Sequence, residues 1–197
     1  SRFNSPLNDW NVSRVEDFVG MFNGADLFNQ PLNKWNTSSA KNISDMFWSA
    51  DSFNQNINDW DVSNVKDASR LFYAADAFNG DLNNWTLTSV ETLKDFFYFT
   101  NHYEGNLAWD LGSGSTPALD LSRFLWGKDG SNSSSGGSNP TGLDSWVTTR
   151  VTNLDKFVQN NPTFNGDLSS WDTSNVTSCT EFADGASSVT LPTLSGC

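Results

Sequence analysis

Phe53-Asn54-Gln55-Asn56-Ile57-Asn58-Asp59-Trp60-Asp61-Val62-Ser63-Asn64-Val65 is one copy of a unit that recurs along almost the whole chain. Its tryptophan returns at Trp10, Trp35, Trp60, Trp85, Trp109, Trp146 and Trp171, with steps of 25, 25, 25, 24, 37 and 25 residues. A fixed period in the twenties marks repeats that stack on their neighbours, because one such unit cannot bury its apolar face alone.

Other columns keep step with the tryptophan. Five residues after it stand Val15, Ala40, Val65, Val90, Val151 and Val176; eight after it come Phe18, Ile43, Ala68, Leu93, Leu154 and Cys179. Eleven after it lie Met21, Met46, Leu71, Phe96, Phe157 and Phe182, followed by a second aromatic at Phe22, Phe47, Phe72 and Phe97. Steps of three residues between apolar positions predict one face of a short helix. Ser13, Ser38, Ser63 and Ser174 stand where an N-cap would. From the tryptophan the residues alternate, as in Trp60-Asp61-Val62, which suits a short strand. The predicted fold is therefore α/β: a right-handed leucine-rich-repeat-like solenoid of about seven coils, each a short parallel strand plus a short helical segment. The predicted core is made of Trp, Val, Leu and Phe ladders. Asn29, Asn54, Asn79 and Asn165 form a further column, expected to bond backbone groups in the turns.

Phe28-Asn29-Gln30-Pro31-Leu32-Asn33-Lys34-Trp35-Asn36-Thr37-Ser38, the copy quoted above, Ser44-Asp45-Met46-Phe47 and Ala50 together resemble the BspA-like leucine-rich repeat of surface proteins. The resemblance covers most of the chain. It implies an extracellular or cell-surface location and an adhesin or lipoprotein context, and it brings no catalytic residues.

The boundaries follow from the period: one repeat domain over 1–197, an insertion at 127–142 and a C-terminal cap at 179–197. The insertion accounts for the long step before Trp146 and is rich in Gly and Ser, the composition of a flexible loop. Phe3 and Leu7 already occupy repeat columns, so the chain is expected to be a processed product or a fragment of a longer one. No apolar run is long enough to span a bilayer.

Charge narrows the partners. The 197 residues hold 23 Asp plus Glu against 11 Lys plus Arg, a formal net charge of −12. That is the opposite of a nucleic-acid footprint, and it disfavours anionic membrane surfaces. No calcium loop, metal pair, phosphate loop or nucleophile motif accompanies it, and the lone His102 reads as a turn residue. No cofactor, metal or catalytic residue is predicted.

The candidate sites are of other kinds. Asn-x-Ser/Thr acceptors occur at Asn11, Asn36, Asn42, Asn84, Asn132 and Asn175, in a chain so rich in Asn, Ser and Thr that such triplets arise from composition. Cys179 and Cys197 form a candidate disulfide that would pin the C-terminal cap, and an oxidising, extracellular setting goes with it. Trp48 and Trp126 fall outside the tryptophan ladder and are candidate contact residues. The first functional expectation is a non-enzymatic extracellular structural glycoprotein, stacking head to tail through the solenoid ends into a filament or surface layer. The alternative is a cell-surface adhesin or recognition module that binds protein or carbohydrate.

Overall fold

Asp45, Arg70, Asp95, Arg123, Lys156 and Glu181 all adopt left-handed backbone conformations, with φ between 53° and 58°. They occupy one column, ten residues after the tryptophan or its equivalent, and Gly20 fills the same place with φ 61°. Four residues further on, Ser49, Ala74, Phe99, Asn160 and Gly24 repeat the excursion. A helix cannot pass through such residues, because every residue in it must be right-handed. The computed structural model describes residues 1–100, 102–114, 116–127 and 137–194, and these excursions decide what it looks like.

The expectation of an α/β solenoid of strand-plus-helix coils is overturned. Among the described residues there is no α-helix; the regular elements are a 3₁₀ turn at Leu143–Ser145 and two short strands, β1 (Leu119–Asp120) and β2 (Val151–Asn153). The strands pair in parallel, and the remaining pairing consists of isolated parallel bridges such as Asp17 to Asn42, Asn42 to Asp67 and Asp67 to Thr92. Repeats do stack one on the next, but each layer is made of turns.

Backbone bonding shows how. Within a layer, Trp48 N–H donates to Asp45 O at 3.1 Å and Ala50 N–H to Phe47 O at 3.0 Å, closing successive tight turns. The residues between them donate to the next layer instead: Phe47 N–H to Leu71 O at 3.0 Å and Ser49 N–H to Tyr73 O at 2.8 Å. Alternate donors thus point along the stack, which satisfies the peptide groups that a helix would have bonded internally. The three-residue apolar rhythm is that of these turns. The serine column is corrected likewise: Asn36 Oδ1 accepts from Ser38 N–H at 3.1 Å and from Ser38 Oγ at 2.7 Å, and Asp61 does the same for Ser63. These are Asx turns, in which the short polar side chain imitates a backbone turn.

Core columns run the length of the described stack. Trp35 and Trp60 stack at 6.1 Å and 6°, Trp109 and Trp146 at 5.8 Å and 10°, and Trp146 and Trp171 at 5.7 Å and 10°. From Trp35 to Trp171 each ladder indole N–H reaches a carbonyl of the preceding layer, as from Trp60 to Leu32 O at 3.1 Å and from Trp171 to Leu143 O at 2.8 Å. A buried indole needs that acceptor. The asparagines bind between layers: Asn54 N–H donates to Asn29 Oδ1, and Asn79 N–H to Asn54 Oδ1, each at 3.0 Å.

The long step before Trp146 is held by a residue that sequence reading passed over. Arg150 is 1% exposed. Its guanidinium donates to Pro117 O and Thr88 O at 2.8 Å each, and also to Leu111 O and Val90 O. A fork of donors fits this task, because the irregular segment leaves carbonyls that no regular neighbour satisfies.

Candidate recognition surface

The left-handed residues have a consequence at the surface. Turning the backbone there lets the column three residues further on project outward, and this column holds Trp48, Tyr73, Tyr98 and Trp126. Its carbonyls are pinned from the layer before, by Ser49 N–H on Tyr73 O, Ala74 N–H on Tyr98 O and Phe99 N–H on Trp126 O. Each ring centroid lies 4.7 Å from the next, with tilts of 38°, 43° and 62° along the series. That step is the spacing of hydrogen-bonded chains. Phe99 adds a fifth ring, 3.9 Å from Tyr98.

All five rings are half-buried. Successive rings are tilted or edge-on to one another, and the Trp126 indole N–H is buried. Trp48 and Trp126, predicted as separate contacts, are brought into one column, and neither presents a bare flat face. Arg70 lies over Trp48 at 5.8 Å, while Arg123 and Lys156 lie over Trp126 at 5.6 and 5.1 Å, within cation–π range. Tyr73 and Tyr98 were missed in sequence; the signal was the run Trp48, Tyr73, Tyr98, Trp126 at near-repeat spacing.

Charge runs beside the rings. Arg70 grips Asp45 with two bonds, Nε to Oδ1 at 2.5 Å and Nη2 to Oδ2 at 2.9 Å. Arg123 donates to Asp95 at 2.7 Å, and Lys156 pairs with Glu181 at 2.8 Å. Asp95 is buried, and burial pushes its carboxyl above the ordinary range, with Arg123 opposing the shift. Donating to the Asp45 carboxylate raises the Arg70 guanidinium further. Burial, then the Asp95 charge, pushes the Tyr73 hydroxyl up. Aromatic rings interleaved with arginine form the residue mix that dominates protein contact energetics.

The other predicted sites are dispersed. Asn11, Asn36, Asn84 and Asn175 are exposed and Asn42 is half-buried, while Asn132 lies outside the described residues. Among the described residues, Asn11 and Asn36 use only their Oδ1 atoms, on Ser13 and Ser38, whereas the Asn175 amide donates to Thr149 O at 2.8 Å. Cys179 is disulfide-bonded; Cys197 lies outside the described residues, as does most of the 127–142 insertion. Toward the C-terminal end, Leu168 N–H donates to Thr190 O at 2.9 Å and Thr173 Oγ1 to Thr193 O at 2.6 Å, laying this segment across the last layer. Among the described residues, no three His, Cys, Asp or Glu side chains gather as a metal site, and no helix is long and apolar enough to cross a membrane.

These features define a class: a stack of turn-built repeats with an aromatic and charged column along one side. The chain belongs to the family described as Mycoplasma protein of unknown function, DUF285, whose model matches residues 1–109 and 131–193. No curated protein and no solved structure matches it.

Proposed function

We propose that this chain is a non-enzymatic recognition module of the BspA-like cell-surface type, which holds a macromolecular partner along the column Trp48, Tyr73, Tyr98 and Trp126. The observation that carries this reading is the column itself. An acidic molecule keeps four large, half-buried aromatics at its surface in register with arginines, where short polar residues would have closed the same turns. Asn23 and Asp184 occupy that place in the first and last layers. The disulfide at Cys179 supports an oxidising, extracellular setting, and the exposed acceptors at Asn11 and Asn36 suit a glycoprotein.

Arrays of glycans and extracellular proteins, probed with labelled wild type and a Tyr73→Ser/Tyr98→Ser variant, test the reading. Loss of every array signal in a variant with native near-ultraviolet dichroism is expected. Retained signals would overturn it.

A second reading has its own observation. Trp10 is 56% exposed where Trp35 is 4%, and Phe3 and Met21 are exposed where Phe28 and Met46 are fully buried. A further layer of the same repeat would cover this face, and one source of such a layer is a second copy stacked head to tail. Concentration-dependent polymers in sedimentation and electron microscopy, abolished by Trp10→Glu, would support it; particles of constant mass up to high concentration would count against it.

A further inference from the structure

At the Trp126 end of the column three layers line an open hollow of about 260 Å³, with Lys94, Ser122, Arg123, Trp126 and Lys156 among its walls. Three cations meet there in a chain whose net charge is −12. Arg123 is paired with Asp95 and Lys156 with Glu181, whereas Lys94 has no carboxylate within ion-pair distance among the described residues. One acidic residue, Asp155, also lines the hollow. Its Oδ1 is occupied, accepting from Ser178 Oγ and from Thr180 N–H at 2.7 Å each.

Two polar groups in the lining lack partners. Ser122 is 4% exposed and its Oγ has no hydrogen bond, and the Trp126 Nε1–H is buried without an acceptor. The contrast with Ser69, in the same column, is informative: its Oγ donates to Asp67 Oδ1 at 2.7 Å. The Ser122 main chain makes the equivalent turn, with its N–H on Asp120 Oδ1 at 2.8 Å, while the hydroxyl is left over. A buried hydroxyl or indole N–H without a partner costs free energy, so each such group calls for an explanation.

We infer that this hollow is a binding site for a single carboxylated sugar unit of a glycan, its carboxylate held by Lys94, Arg123 and Lys156 and its hydroxyls by Ser122 Oγ, the Trp126 indole N–H and Asn153. The volume lies below the roughly 300–1,000 Å³ of drug-sized pockets, which suits one ring. A carboxylate supplies Lys94 with the counter-ion it lacks and adds to those that Arg123 and Lys156 already have. The neutral donors and acceptors need a ligand that also carries several hydroxyl groups, which an acidic peptide side chain lacks. Ser122 Oγ and the Trp126 indole N–H are closed to solvent, so a ligand reaches them only when the side chains over them move. The assignment rests on the recognition reading above and gives the partner its chemistry.

The test titrates the chain with sodium D-glucuronate, D-glucose and sodium acetate, followed by calorimetry and by the Trp126 indole N–H resonance. Glucuronate is expected to shift that resonance saturably, more weakly as salt rises, while glucose and acetate leave it nearly in place. Ser122→Ala and Lys94→Gln should each weaken glucuronate by about tenfold. Ser122→Ala should leave the melting temperature unchanged or raised, since it removes an unpaired hydroxyl. Equal shifts from acetate, no shift from glucuronate, or wild-type affinity in both variants would overturn the assignment. If Tyr73→Ser/Tyr98→Ser abolishes array binding while glucuronate does nothing, the sugar falls and the recognition surface stands; glucuronate binding with unchanged array signals has the reverse meaning.

Discussion

Arg123 holds two neighbours at once: its guanidinium donates to buried Asp95 at 2.7 Å and lies 5.6 Å from the centre of the Trp126 ring. The salt bridge thereby fixes the cation over the indole, and the charged column and the aromatic column become one surface. Neither could be altered without moving the other.

The buried member of that pair sets a pH dependence. Because burial raises the Asp95 carboxyl above its unfolded value near 3.8, at pH values between the unfolded and folded pKa the folded chain keeps a proton there that the unfolded chain has released. Asp95 ionisation therefore opposes folding, and its contribution worsens as pH rises from about the unfolded pKa through the folded one. Measured by urea unfolding at a series of pH values, the stability of wild type relative to Asp95→Asn is expected to fall across that interval and level off above it. A rise across the same interval would mean that the Arg123 attraction outweighs burial.

Adjacent rings in the surface column should be energetically coupled. A double-mutant cycle on Trp48→Ala and Tyr73→Ala is expected to give an interaction of about 0.5–1.5 kcal/mol, the range for aromatic pairs. Trp48 and Trp126, separated by two rings, should show additivity in the same unfolding experiment.

Arg150 is expected to be the least replaceable cation. Arg150→Met keeps much of the volume but withdraws the donors from four carbonyls, at Pro117, Thr88, Leu111 and Val90. Losses from leaving such groups unpaired run to about 1–3 kcal/mol each before relaxation and water entry. A net destabilisation of about 3 kcal/mol or more in denaturant titrations is the expected outcome. By contrast Lys34→Met, which breaks an exposed pair with Asp9, should change little.

Left-handed positions offer a gain. Ala74 has φ 53°, a conformation that costs a residue with a β-carbon roughly 1–2 kcal/mol, and Gly24 and Gly185 already occupy the matching place. Ala74→Gly should raise stability by up to about 1 kcal/mol, since part of the gain is offset by the greater freedom of glycine when unfolded. A loss in thermal or chemical unfolding would show that the Ala74 methyl contributes more through packing than the backbone loses through strain.

The period, the apolar columns and the burial of Trp35, Trp60, Trp85, Trp109, Trp146 and Trp171 were readable in sequence, because stacked copies force like residues into like surroundings. Helix was misread because apolar steps of three residues fit both a helix and a ribbon of tight turns. What separates them is φ at Asp45, Arg70 and Ala74; aspartate is enriched in the left-handed region but arginine and alanine are not, so the columns carry no consistent signal for it. The recognition surface was half legible. Trp48 and Trp126 stood out as tryptophans, while Tyr73 and Tyr98 looked like further repeat variation.

By itself the sequence determined that this chain stacks and which residues face inward, since a repeating unit with one apolar side has no other way to hide it. Only the tertiary structure decided that the layers are turns, and so where their outward residues point. Residues a repeat apart meet only after each layer settles at its bonded spacing on the last. That spacing brings Trp126, the unpaired Ser122 hydroxyl and three cations to one hollow, a juxtaposition of layers that no local pattern in the chain encodes.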